Sequence, residues 1–85
     1  MLTSELVVRA ERRYVQTLRR LSEAEDWQYH MAPKSRDNAI NGIERIASLR
    51  GELKAFKDIF GFSATEISRM ERTAGYKTLD EKYGL

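Results

Sequence analysis

A single proline separates two long stretches in which apolar residues recur at the spacing of an α-helix. Pro33 is the chain's only proline; it lacks a backbone N–H and disfavours the helical conformation of the residue before it. Between Val7 and Ser22, at about 100° per residue, apolar side chains share one broad arc and arginines lie on the opposite side. The sequence therefore predicts a long helix on each side of Pro33.

This division predicts an all-α fold built on an antiparallel helical hairpin. We expect helix 1 over about 3–30, helix 2 over about 37–60 and a short third helix over about 63–74. The two long helices would measure about 40 and 35 Å, a good match for a hairpin. Residues 1–75 are predicted to form one helical domain, and residues 76–85 a loosely ordered tail with room for one more helical turn.

Helix-capping residues mark these boundaries. A side-chain oxygen before the first turn accepts hydrogen bonds from backbone N–H groups, and a glycine after the last turn adopts the left-handed conformation. Ser63 and Glu66 have the spacing of a capping box, with Phe62 placed to pack on Ile67. The other predicted caps are Thr3 or Ser4 for helix 1, Ser35 or Asp37 for helix 2, and Gly61 and Gly75 for the ends of helix 2 and the third helix.

The apolar stripe of helix 2 drifts along its length. Its early apolar residues centre on Ile43 and its later ones on Leu49 and Phe60, so the helix should curve or bend. Gly42 and Gly51 each destabilise a helix by about 1 kcal/mol relative to alanine. Glycines there indicate close helix approach or a bend, and we expect the bend at Gly51.

A lone hairpin has too few facing residues to bury both apolar arcs. Two hairpins would bury them in a four-helix bundle, and a chain of 85 residues is close to the size at which a partner is needed for stability. We therefore expect self-association, most simply as a dimer. The predicted core and oligomer-interface residues are Val7, Tyr14, Leu18, Leu21, Ile43, Ile46, Leu49, Leu53, Phe56 and Phe60.

Arginines on helix 1 form a basic face, for which three interpretations stay open. The face is solvated, or it pairs with acidic residues of an antiparallel second copy, or it binds the phosphates of a nucleic acid or another anionic partner. The basic face consists of Arg9, Arg12, Arg13, Arg19 and Arg20, and the acidic cluster at the end of the same helix consists of Glu23, Glu25 and Asp26.

The segment 61–78 begins like a DNA-binding helix-turn-helix but lacks its turn. With Ile67 at the packing position, the turn would fall on Glu71, where nothing breaks the helix. The next glycine is Gly75, and acidic residues follow it. We expect this segment to form a capped helix that folds back on the hairpin.

The aromatic residues near Pro33 have two interpretations. We expect Trp27 and Tyr29 to close the end of the hairpin against Ala39, Ile40 and Ile43. The alternative is that the two rings stack on a base or fill an interface.

The chain offers little catalytic chemistry. It has no cysteine and one histidine, and His30 lacks the glutamate three residues earlier that di-iron helical bundles use. We identify no catalytic residue, no metal site and no cofactor site, and we predict that the protein is not an enzyme.

The net charge of +2 favours nucleic acid only weakly as a partner. No apolar run reaches the roughly 18 residues of a membrane span, and the N-terminus lacks the order of a signal peptide. We predict a cytoplasmic assembly or regulatory protein that acts as a homo-oligomer with an unidentified protein partner. The alternative is a nucleic-acid-binding accessory protein that uses the arginine face of helix 1.

Overall fold

The computed structural model describes residues 4–85, which are mostly helical and contain no strand. The predicted all-α class is confirmed, as are two long helices in contact and additional short helices. The alternative cap Thr3 lies outside the described residues, and Ser4 is the first described helical residue. The elements are α1 (Ser4–Met31), a 3-10 turn (Ala32–Lys34), α2 (Arg36–Phe60), α3 (Ala64–Ala74) and α4 (Leu79–Tyr83).

The hairpin turns at Pro33 because α1 ends there and a new cap starts α2. Pro33 lies in the first turn of the 3-10 segment, where its missing N–H leaves no hydrogen bond unmade. The Ser35 hydroxyl then accepts a hydrogen bond from the Asn38 backbone N–H at 3.0 Å, which confirms Ser35 as the N-cap. Hydrogen bonds from Arg13 to Glu52 and from Gln28 to the Ala39 carbonyl oxygen run in opposite chain order along the two helices, so the hairpin is antiparallel.

The core lies where α1 meets both α2 and α3. Met70 of α3 is among the most deeply buried side chains, and the rings of Tyr14 and Phe62 meet edge to face with centroids 5.5 Å apart. Phe62 is held at this place because Gly61, with φ 63°, ends α2 and reverses the chain. The buried core residues are Ala10, Tyr14, Leu18, Leu21, Leu53, Phe62 and Met70, and the half-buried residues packed on them include Ile46, Leu49, Phe56, Phe60 and Ile67.

The two helical glycines of α2 have different roles. Gly42 is buried against α1, and a Cβ atom there would overlap the Gln28 side-chain oxygen. The close helix approach predicted for these glycines therefore occurs at Gly42. Gly51 is exposed, and α2 runs without interruption through it; the helix does not break there.

The drift of the α2 stripe leaves two isoleucines outside the core. The later apolar residues, from Ile46 to Phe60, pack towards α1 and α3, whereas Ile40 and Ile43 are 43% and 61% exposed. Tyr29, expected to help close the end of the hairpin, stacks on Tyr83 of α4, with ring centroids 4.4 Å apart. Periodicity had defined the arc correctly, but the neighbouring helix covers only its later half.

The C-terminal segment, expected to be loosely ordered, forms α4 and is attached to α1. Thr78 and Glu81 make a second capping box, which satisfies backbone donors at the start of this short helix. The Lys82 ammonium then donates to Ser22 at 2.6 Å and to Asp26 at 2.9 Å. The Tyr83 hydroxyl donates to the other oxygen of Asp26 at 3.1 Å. These contacts join residues more than 50 positions apart, so no local sequence signal predicts them.

Acid should detach α4 from α1. The hydrogen bond from Lys82, and secondarily that from Tyr83, hold the pKa of Asp26 below its ordinary value of 3.8. A lowered pKa means that the ionised carboxylate stabilises this contact above pH 3.8, and that the stabilisation is lost as the pH falls through the lowered pKa. The amide NMR signals of Lys82 and Tyr83 should therefore shift below pH 3.8.

The matched control is Asp26→Asn, which removes the titrating group and should abolish that step in the α4 signals. If the α4 signals of the unsubstituted chain stay unchanged to pH 2 while α1 remains folded, Asp26 does not hold α4.

Candidate interaction surfaces

The arginine face of helix 1 is divided between salt bridges and an open groove. Arg9 pairs with Glu5 at 2.8 Å and Arg13 with Glu52 at 3.0 Å. Arg20 is exposed. The face predicted as one basic surface is thus partly neutralised by acidic residues of the same chain.

The acidic end of α1 is occupied by contacts within the chain. The Glu25 carboxylate is buried and accepts hydrogen bonds from Arg50 at 3.1 Å and Tyr76 at 2.8 Å. Asp26 accepts from α4, as described above, and Glu23 is exposed. The predicted pairing of this acidic cluster with arginines of a second copy therefore loses two of its three carboxylates.

A groove of about 410 Å³ lies between α1 and α3. Its apolar lining comes from Val8, Val15 and Met70. Its rim carries Arg12 and Arg19 from the predicted basic face. The remaining lining residues are Glu11, Gln16, Arg69 and Thr73.

Several of the polar groups around this groove already have partners. Arg69 donates to Glu11 at 3.0 Å, and this contact raises the pKa of the Arg69 guanidinium. Arg19 has a long contact of 3.5 Å to the Thr73 carbonyl oxygen. Among residues 4–85, Arg12 makes no salt bridge. It is therefore the rim arginine best able to bind an added anionic group.

A second surface, the outer face of α2, consists of Ile40, Ile43, Ala47 and Gly51. At about 100° per residue these positions fall within one arc of roughly 80°, on the side of α2 away from Leu53 and the core. All four are exposed, and nothing lies within 4 Å of a Cβ atom built on Gly51. The spacing of the isoleucines in the sequence carries the signal for this face, although Ile43, predicted to lie in the core or the oligomer interface, is outside the core of the single chain.

The outer face of α2 is flanked by charged residues of both signs. Arg36 and Asp37 lie at its N-terminal end, and Lys57 and Asp58 at its C-terminal end. Glu44 lies beside Ile43 and is exposed. Lys54 is exposed and projects within roughly 20° of the direction of Ala47, so the face is apolar from Ile40 to Gly51 and charged beyond both ends of that stretch.

The described residues contain no group of three or more His, Cys, Asp or Glu side chains placed to hold a metal ion. His30 Nδ1 lies 2.8 Å from the Asp26 carbonyl oxygen, and its ring meets that of Tyr83 edge to face. Within the part of the chain that is described, no helix combines the length and apolar character of a membrane span. No protein-family model, curated protein or solved structure matches the chain.

Proposed function

We propose that the protein is a small non-enzymatic assembly or regulatory protein that acts as a homo-oligomer, most simply a dimer. We further propose that two copies meet through the outer face of α2. The observation that carries this proposal is the exposure of Ile40 and Ile43 on one face of a well-formed helix, beside the small residues Ala47 and Gly51.

Burial of this face would stabilise an assembly. Complete burial of an isoleucine side chain contributes roughly 1.5–3 kcal/mol. In a symmetric dimer each of these isoleucines is present in both copies, so its contribution counts once for each copy. One helix face per copy is nevertheless small beside standard interfaces, which bury at least about 1,200 Å². We therefore expect a dimer whose population depends on protein concentration.

The test is the molecular mass in solution, measured by light scattering over a range of concentrations. The unsubstituted chain should approach twice its 9.9 kDa mass as concentration rises. Ile43→Glu should stay at 9.9 kDa, because each copy would bury a carboxylate in an apolar contact.

Ile59→Glu is the matched control. Ile59 is also exposed, but it lies about 120° around the helix from Ala47, so this variant should dimerise normally. Circular dichroism should show the same helicity for all three proteins. A chain that stays monomeric at every concentration, or equal dimerisation of both variants, would contradict the proposal.

The second candidate function is binding to nucleic acid through arginines of α1. It is favoured by Arg12 and Arg20, which are exposed and make no salt bridge among residues 4–85. Such binding would weaken steeply with added salt, because displaced counterions drive it, whereas apolar association would persist. Light scattering with a short DNA duplex at low and high salt separates the two functions.

A further inference from the structure

We infer that the two copies pair through α2 in antiparallel orientation, around a two-fold axis that passes close to Ala47. This inference rests on the proposed self-association and specifies its geometry. In such a pair the two helices run in opposite directions from the shared centre at Ala47. A residue that lies n positions before Ala47 in one copy is therefore level with the residue that lies n positions after Ala47 in the other copy.

Charge is the first reason for this geometry. Arg36 lies eleven positions before Ala47 and Asp58 lies eleven positions after it. At about 100° per residue, both side chains project within roughly 20° of the direction of Ala47, so each Arg36 would face Asp58 of the second copy. The two-fold axis repeats this pairing at the opposite end of the interface.

Two further pairs of charged residues share a level about this centre, with the two members of each pair at opposite edges of the interface. Asp37 is level with Lys57 of the second copy, and Glu44 is level with Arg50. At every level from 36 to 58 where both residues carry a charge, the two charges are opposite. Arg50 already binds Glu25, so Arg36 and Asp58 are the residues that we expect to fix the orientation.

A parallel pair in the same register would oppose like charges. Each Arg36 would meet Arg36 of the second copy, and each Asp58 would meet Asp58. Like charges brought together at an interface are unfavourable and act against that arrangement. Charge therefore selects the antiparallel orientation.

Side-chain size is the second reason. Ile43 lies four positions before Ala47 and Gly51 four after it, so Ile43 of each copy would lie level with the open surface over Gly51 of the other copy. A glycine in an exposed helix interior destabilises the helix by about 1 kcal/mol relative to alanine. Contact with an isoleucine of the second copy gives this glycine a packing role that the single chain does not.

Cysteine cross-linking tests the orientation, and the chain contains no cysteine of its own. Ala47→Cys places a thiol near the axis and should form a disulfide-linked dimer under mild oxidation, since a disulfide requires Cα atoms about 4.4–6.8 Å apart. Ile40→Cys and Lys54→Cys are level with each other across an antiparallel pair, seven positions on either side of Ala47. These two variants should cross-link when mixed, and neither should cross-link alone.

The outcomes separate orientation from association. Cross-linking of Ile40→Cys alone and Lys54→Cys alone, with little in the mixture, would establish a parallel pair and overturn the inference while leaving self-association intact. A dimer by light scattering in which Ala47→Cys does not cross-link would place the interface elsewhere and overturn both the centre and the surface. A monomer at all concentrations would overturn the proposed function itself.

Charge reversal gives an independent readout. Arg36→Asp and Asp58→Arg, made singly, should each raise the dimer dissociation constant about tenfold, because each creates two like-charge contacts per dimer. The double variant exchanges the two charges and should return the dissociation constant to about that of the unsubstituted chain. Additive weakening in the double variant would show that these residues do not face each other.

Discussion

Replacement of Leu18 by aspartate should unfold the protein. Leu18 is 3% exposed and belongs to the cluster in which α1 meets α2 and α3. The substitution removes an apolar side chain from the core and buries a carboxylate without a partner, which destabilises a fold by several kcal/mol. A small domain has a free energy of unfolding of about 5 kcal/mol or little more. We expect loss of most of the helical circular dichroism signal at 25 °C.

Val8→Asp is the control, because it also places an aspartate in α1, with the same added charge and low helix propensity, but outside the core. Val8 lies on the same helix and is exposed at the groove between α1 and α3, so the new carboxylate stays hydrated and the fold should persist. If Leu18→Asp keeps the helicity and melting temperature of the unsubstituted chain, Leu18 does not lie in the core that the structure shows.

The core of α1 was the most predictable part of the fold, because it repeats along one helix. Tyr14, Leu18 and Leu21 share an arc that is visible from residue type and spacing alone, and all three are buried. Thr17 is also fully buried and was not anticipated. The spacing of the buried residues, and not residue type, predicts burial at position 17. The buried residues Ala10, Tyr14, Thr17, Leu21 and Ala24 are separated alternately by four and three positions, as expected for one face of a packed helix.

The capping residues were equally readable, because a cap depends on neighbours in the sequence. Ser63 and Glu66 form the predicted capping box, and Gly61 and Gly75 end α2 and α3 in the left-handed conformation. The hydroxyl of Ser63 and the carboxylate of Glu66 need only a spacing of three residues to satisfy each other's backbone donors. No information from the rest of the fold is required.

The candidate interface was harder to predict, because periodicity shows which residues share an arc but not which side of it meets a neighbour. Ile43 and Leu53 have the same apolar character, yet Leu53 is buried and Ile43 is exposed. The difference depends on which side of α2 faces α1, as the position of Gly42 against Gln28 shows, and this is a property of the folded chain. The acidic residues of α1 show the same limit, since their partners come from distant segments.

Removing the hydrogen-bond partners of the buried Glu25 should lower the free energy of unfolding more than removing Glu25 itself. Its carboxylate is 6% exposed and is satisfied on one oxygen by Tyr76 and on the other by Arg50. Tyr76→Phe should lower the free energy of unfolding by about 1–3 kcal/mol, because it leaves a buried acceptor unpaired. Adding Arg50→Met, which leaves the buried charge without either partner, should bring the total loss to about 3–5 kcal/mol.

Glu25→Met should cost much less than that double variant, since it removes the buried charge and keeps most of the side-chain volume. Urea unfolding of the variants, followed by circular dichroism, measures these differences. Equal losses for Glu25→Met and for Tyr76→Phe with Arg50→Met would mean that water already compensates the carboxylate in the folded state.

The same contact should weaken the fold at alkaline pH. Burial, and then the hydrogen bond to Glu25, raise the pKa of Tyr76 above its ordinary value of 10.0. In the unfolded chain the phenol ionises from pH 10 upward, while in the folded chain it stays neutral, so the stabilisation is present below pH 10 and is lost as the pH rises through the raised pKa. Tyr76→Phe should therefore flatten the fall of the unfolding free energy above pH 10. Burial also raises the pKa of Tyr14, so part of that fall should remain in the variant. If the variant and the unsubstituted chain lose unfolding free energy equally steeply above pH 10, the Tyr76 phenol is not buried against Glu25 in solution.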